Sequence, residues 1–280
     1  MKKTAVLILC CAATIAASCI REEVDGFGRK ISKIVITNFI GERETEDAEI
    51  VFHRRKQEEY SPTFDARGRI SKLHKVIWIE EVERPESGPV TRHFVKSEDI
   101  ILTFSYNEGK CNGTLSRQGT RYSYDFSNSN PESSEKVDES STMTFNSDWC
   151  MTSLGGDNWE YEGERLKTGA IWEDGKLVSY GEYRYSYSGL ENPFAESFDL
   201  SLGGSLTSDL PEYYTYGLMG KRSSHIPSRI DRVTGGQTVS DFVTVTRDAE
   251  EKITKIRLDR KGDPLWYSII DFSYTNNYFK

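Results

Sequence analysis

His53, His74, His93 and His225 are the four histidines, and they are the first place to look for chemistry. A histidine-based metal or general-base site needs a second ligand at a fixed spacing or a nucleophile within reach. No HExxH or similar paired spacing occurs, and there is no GxSxG nucleophile elbow. His225 has hydroxyl neighbours in "SSHIP". Adjacency in sequence seldom gives serine and imidazole the geometry of nucleophile and base, so His225 is read as a loop or strand-edge residue. Carboxylates are plentiful, and a pair of them could cleave a glycosidic bond. Glu160, Glu162, Glu164, Asp174 and Glu182 lie in polar surroundings and are expected to cover a solvated sheet face. "DNWEYEGE" (157–164) lacks the alternating acids and terminal glutamate of a calcium loop. No catalytic residue, metal site or cofactor is therefore expected.

Aromatic residues give a better functional hint. Trp149, Trp159 and Trp172 lie in one region with Tyr180 and Tyr183, and Tyr213, Tyr214 and Tyr216 form a second cluster. Flat rings can stack on sugar faces, and tyrosine or tryptophan adds a hydrogen bond to that contact. The same rings could equally fill the concave side of a wide sheet. Trp149, Trp159, Trp172, Tyr213, Tyr214 and Tyr216 are the candidate ligand-stacking residues.

The elements that must position these residues are strands. In "GEYRYSYSG" Tyr183, Tyr185 and Tyr187 alternate with Glu182, Arg184 and Ser186. "SKIVITNFI", "HKVIWIEEV", "FVTVTRD", "ITKIRLDR" and "LWYSIIDFSYTNNYF" have the same period-two texture and are rich in β-branched and aromatic residues. A weak repeat runs through them: "GRKISKIVI" from Gly28, "FDARGRISKLHKVI" from Phe64 and "TRDAEEKITKIRL" from Thr246, with looser copies "YNEGKCNG" from Tyr106 and "WEDGKLVSY" from Trp172. Each reads as a hairpin, with glycine supplying a positive φ in most turns. Gly68 is expected at such a position. Glu251 stands where glycine would be, which suggests a longer or differently shaped turn, and Gly88 falls in an irregular loop where substitution should cost less. Hairpins in chain order predict an all-β fold: a large antiparallel meander of about 12 or more strands, forming a curled sheet or an open barrel-like structure. Polar stretches at 81–92 and 127–142 read as surface loops and do not divide domains, so 27–280 is taken as a single all-β domain.

The N-terminus speaks of location. Lys2 and Lys3 precede an uncharged apolar run, Ala5 to Ala17, of about 13 residues, too short for a spanning helix, which needs roughly 20. Small residues Ala16, Ala17 and Ser18 follow, then Cys19. Residues 1–18 resemble a bacterial lipoprotein signal peptide, although Ala16 stands where such signals more often carry leucine. The resemblance implies lipid attachment at Cys19. Several acyl chains, at roughly 0.8 kcal/mol per buried CH₂, would hold a soluble domain at a membrane. Residues 19–26 read as an acidic tether, and Glu22, Glu23 and Asp25 are similar to the surface-export signal of Bacteroidetes lipoproteins. Cys10 and Cys11 would leave with the signal, so Cys111 and Cys150 remain as two thiols that could pair. A disulfide there would contribute about 3–4 kcal/mol in the chain-entropy model. The chain carries a formal charge of −8, and the signal would remove lysines and no acids. That argues against a nucleic-acid partner.

The C-terminal half carries a family resemblance. "ENPFAESFDLSL" (191–202), "YYTYGLMGKRSSHIPSRI" (213–230) and the closing strands "FVTVTRDAEEKITKIRL" and "IIDFSY" resemble the Bacteroidetes lipoproteins of unknown function described as having a porin-like fold. The match covers roughly residues 180–278 and implies shape, not chemistry; the family brings no catalytic residues. The expected function is that of a surface-anchored, non-enzymatic lipoprotein of the outer membrane that binds a glycan, lipid or peptide. The alternatives are an envelope structural or assembly protein and, behind it, a carboxylate-dependent hydrolase. The expected partners are the membrane, through the anchor, and a glycan, lipid or protein ligand.

Overall fold

The computed structural model describes residues 31–43, 47–67, 69–83, 88–124, 131–192, 218, 220 and 223–274. Among them the chain is built from strands. The first six are long: β1 (Ile31–Glu42), β2 (Val51–Phe64), β3 (Ile70–Glu83), β4 (Thr91–Asn107), β5 (Asn112–Tyr124) and β6 (Pro131–Phe145). Short ones follow: β7 (Met151–Leu154), β8 (Asp157–Asn158), β9 (Tyr161–Glu162), β10 (Arg165–Leu166), β11 (Ala170–Glu173) and β12 (Lys176–Tyr180). The chain closes with β13 (Tyr183–Glu191), β14 (His225–Thr234), β15 (Gln237–Arg247), β16 (Ile253–Arg260) and β17 (Trp266–Tyr274). The expected meander is what forms. One 15-stranded sheet runs from β11 through β17, then β1, and on to β8, with neighbours antiparallel throughout.

Two features of this order lie beyond local pattern. The first and last described strands, β1 and β17, pair along their length in the middle of the sheet. The seam falls instead between β8 and β11, and the sheet is not closed into a barrel. The two seam strands are joined only by the small β9–β10 hairpin, which bonds back to β7 (Trp159 N–H to Thr152 O, 2.9 Å) and to itself (Lys167 N–H to Glu160 O, 2.8 Å). A link that short keeps the edges near one another, and the sheet must curl.

Alternation sorts side chains onto two faces. Ile34, Ile36, Leu73, Ile100, Leu102, Leu115, Ile256, Leu258 and Ile270 point to one face and form a continuous buried core. Their neighbours along each strand point to solvent, as period two requires. The core reaches across the seam to Trp159, Leu166 and Leu177.

The ends of the sheet also differ. Three five-residue turns at one end share a hydrogen-bond pattern: Asp65–Arg69, Asn146–Cys150 and Asp248–Lys252. In each, the first side-chain Oδ1 accepts from the backbone N–H two and four residues on, at 2.9–3.0 Å. The first backbone N–H also donates to the fifth carbonyl, at 2.8, 3.0 and 2.9 Å respectively. The fourth residue is left-handed in Trp149 (φ 60°) and Glu251 (φ 62°). Glu251 thus occupies the glycine position of an unchanged turn, which corrects the expectation of a different shape. Gly68, its equivalent, lies outside the described residues. Gly88, read as unconstrained, has φ 123° and so does need glycine. In the copy near Tyr106 the left-handed residue is Cys111 (φ 48°), while in the copy near Trp172 Asp174 and Gly175 share the task (φ 47° and 79°).

Four of these turns, all but the one at Cys111, lead to the same seal. The next aliphatic residue (Ile70, Met151, Leu177 or Ile253) is 0% exposed. Its carbonyl accepts a tyrosine hydroxyl, from Tyr106, Tyr161, Tyr187 and Tyr274 respectively, at 2.6–2.7 Å. In three copies the basic residue before the aliphatic lies over that tyrosine ring: Arg69 at 4.3 Å, Lys176 at 5.9 Å and Lys252 at 5.6 Å. Turn, cation, buried aliphatic and tyrosine together close this end. At the opposite end, the rim, no such seal recurs among the described residues; the β14–β15 and β16–β17 turns lie there.

Candidate functional site

The tryptophans singled out by sequence belong to the sealed end. Trp159 is buried in the core. Trp149 sits among Phe145 (5.4 Å), Tyr106 (6.2 Å) and the Arg69 guanidinium (5.1 Å). Trp172 donates its Nε1–H to Leu166 O (2.7 Å) and lies beneath Arg165. The structure spreads these three through packing and does not bring them together as an open platform. Tyr213, Tyr214, Tyr216 and Cys19 lie outside the described residues. Cys111 and Cys150 are not bonded: Cys111 is exposed at its turn, whereas Cys150 is buried beside the backbone of the next turn. The possible disulfide is therefore absent from this structure.

The Ser224 hydroxyl and His225 Nδ1 do lie within 2.9 Å, but both are held in a strand-entry turn, with Ser224 N–H on Gly175 O. No carboxylate among the described residues bonds to the other ring nitrogen of His225. Among the described residues no three His, Cys, Asp or Glu side chains gather in a way that could hold a metal ion.

Towards the rim the core face turns polar. Glu58, buried, accepts the Tyr60 hydroxyl and pairs with Lys56 (2.7 Å). Arg117 meets Glu139 (3.6 Å) and Arg121 meets Glu98 (3.5 Å). Asp241 is pushed above the usual carboxylate range by burial, which Arg260 at 3.2 Å only partly offsets. Each of these carboxylates faces a cation, and Asp231 adds its repulsion to the rise at Asp241. At the seam, Ser140, Thr142, Ser153 and Asn158 line an open hollow of about 440 Å³.

A second aromatic group, not found by sequence reasoning, lies on the solvent face near the rim. Phe39 stacks on Tyr267 with centroids 4.6 Å apart, and Phe52 meets Tyr267 edge-on at 5.0 Å. Trp78 stacks on Phe94 at 6.2 Å. A signal for it existed: Phe39 is out of phase with Ile34 and Ile36 in its own strand, as Tyr267 is with Ile270, so alternation alone assigns both rings to the face away from the core.

The fold and these surfaces describe an open, curled antiparallel meander with a sealed and an unsealed end. No known family model matches the chain, and no curated protein sequence matches it. Solved structures similar to it include the following two. One is a porin-like protein from Bacteroides uniformis ATCC 8492, at 12% identity over 88% of this chain and 96% of that one, with a TM-score of 0.42. The other is a porin-like protein from Bacteroides vulgatus ATCC 8482, at 10% identity over 88% of this chain and 99% of that one, with a TM-score of 0.28.

Proposed function

We propose that the protein is a non-enzymatic lipoprotein, held at the outer membrane through Cys19 and displayed on the cell surface, that presents the open rim of its sheet to a glycan, lipid or peptide ligand. One observation carries this reading. Of the eight large apolar side chains left exposed among the described residues, six lie at the rim end of the sheet: Ile40, Val51, Phe52, Val90, Val233 and Val239. The chain enters β1 at Ile31, at the opposite, sealed end. A tether joined there holds the rim outward. Burying apolar surface drives association at roughly 25 cal/mol per Å², and a soluble domain has no reason within its own fold to leave that surface at one end.

The solvent face supports an aqueous setting for the strands. Lys33–Glu59 (2.7 Å), His74–Asp99 (2.7 Å) and Lys255–Asp271 (3.6 Å) lie on it. A lysine facing lipid would cost about 2–4 kcal/mol at mid-bilayer, and a spanning barrel instead carries an apolar band there. Among the described residues no helix is long and apolar enough to cross a membrane.

The test is acylation. Cys19→Ser should stop labelled palmitate from entering the protein and release it from the membrane fraction. Continued labelling of the mutant would overturn the anchor. Replacing Glu22, Glu23 and Asp25 with alanine should lower protease accessibility on intact cells. Capture of one envelope protein, with no soluble ligand bound, would replace the ligand-binding reading with an assembly role.

A further inference from the structure

Rings and cations alternate across the solvent face from β16 to β4. The Arg257 guanidinium lies 4.1 Å from the Tyr267 centroid, and Tyr267 stacks on its cross-strand partner Phe39. Phe39 is paired on its other side with Arg54, whose guanidinium lies 3.7 Å from the Phe94 centroid. Phe94 stacks on Trp78, and Lys96 Nζ lies 5.5 Å from that ring. Four strand spacings separate β17 from β4, about 19 Å at ~4.8 Å each, enough for several linked sugars.

Two observations point from this ribbon to a ligand. Phe52 is 40% exposed on this face, so apolar surface is left to water on a rigid strand. Arg54 is exposed, and among the described residues its one polar side-chain partner is the Gln57 amide oxygen at 3.1 Å. Among the described residues no carboxylate pairs with it. Its neighbours are matched: Arg257 with Asp259 and Lys96 with Asp99, each at 2.8 Å.

Building on the reading of the protein as a ligand-presenting surface, we propose that this ribbon binds an acidic polysaccharide, with a sugar ring on Phe52, further sugars along the edges of Tyr267 and Phe39, and a ligand carboxylate on Arg54. A sugar ring has an apolar C–H face and a hydroxylated edge, which suits a flat aromatic surface bordered by hydrogen-bonding side chains. A guanidinium offers a planar donor fork that matches a carboxylate, and ring contact holds that fork in place before the ligand arrives. The rings brace one another, so little side-chain freedom is lost on binding. The chain's overall charge of −8 repels polyanions. Stacking must therefore supply most of the affinity, and Arg54 the selection.

The test measures binding of the purified mature protein to polygalacturonate and to the same polymer with its carboxylates reduced. Polygalacturonate should bind, and the reduced polymer should bind more weakly. Phe52→Ala should weaken binding by about tenfold or more, as the loss of an aromatic anchor does. Arg54→Gln should erase the preference between the two polymers. Circular dichroism and melting temperature should match wild type for both variants, since both side chains are exposed. Equal binding of the two polymers by wild type, or undiminished binding by Phe52→Ala, overturns the ribbon as the site. Failure to bind polygalacturonate, in a protein that is acylated and captures some other ligand, overturns this inference and leaves the anchored, ligand-presenting role standing.

Discussion

The two ends of the sheet are built on opposite plans. At the sealed end a turn, a buried aliphatic residue and a tyrosine–carbonyl bond recur at Ile70, Met151, Leu177 and Ile253, and polar groups find partners within the unit. At the rim Val51, Phe52, Val90 and Val239 meet water. Stability is thus concentrated where the chain repeats itself, and exposed apolar surface where it does not. An end that carries little of the folding energy is free to vary in contact residues, as binding loops on a rigid scaffold commonly are.

Substitutions can break or sharpen this contrast. The largest effect should come from Ile253→Ala, which leaves a cavity in the sealed core and should cost about 2–5 kcal/mol, while Val51→Ala at the rim should stay within about 0.5 kcal/mol. Urea midpoints with equal m-values would decide it, and equal losses at both sites would abolish the distinction. Next comes the left-handed turn position: Glu251→Val should cost roughly 1–3 kcal/mol through backbone strain, whereas Glu251→Gly should be neutral or stabilising. If glycine destabilises there as much as valine, the shared turn geometry does not govern stability.

A smaller difference is expected between two tyrosine hydroxyls. Tyr274→Phe removes the bond to Ile253 O within the seal and should cost about 1 kcal/mol. Tyr124→Phe, which frees Lys96 O at 2.6 Å near the rim, should cost less, because water can take the place of the hydroxyl. The smallest effect concerns Asp99. Burial works against its ionised form, but hydrogen bonds from Lys96 and His74 prevail and hold its pKa below the ordinary aspartate value. Such a group contributes stability above its unfolded pKa and loses it as pH falls through the folded value. Asp99→Asn should therefore destabilise at neutral pH by less than about 1 kcal/mol, given solvent screening of a half-exposed pair. The difference should vanish in acid below the folded pKa, and denaturation curves at the two pH values measure it.

Much of the sealed end was legible in the sequence, because its signals are local. Asp–Ala–Arg–Gly–Arg before an alternating run announces a turn and a strand with no knowledge of the rest of the chain. The Asn146–Cys150 turn escaped because Trp149 occupies its left-handed position, where glycine or asparagine is the usual mark. The β1–β17 pairing and the β8/β11 seam escaped for a different reason: register between distant strands is set by three-dimensional complementarity, and no short pattern encodes it. The solvent-face aromatic group escaped for the same reason. Trp149, Trp159 and Trp172 are near one another in the chain and were grouped on that ground, yet they pack at the sealed end. Phe39, Phe52 and Tyr267 are far apart in the chain and meet only because β1 lies between β2 and β17.

The proposed orientation, sealed end toward the membrane and rim outward, can be read with thiols. Cys111 is an exposed native cysteine at the sealed end, and Val51→Cys in a Cys111→Ser background places one at the rim. Intact cells expressing each form would be treated with a bulky, membrane-impermeant maleimide, and the rates compared with those in detergent. The account predicts faster labelling of the rim thiol on intact cells and a smaller difference once the membrane is dissolved. Faster labelling of Cys111 on intact cells, or no labelling of either thiol until the cells are opened, would contradict it.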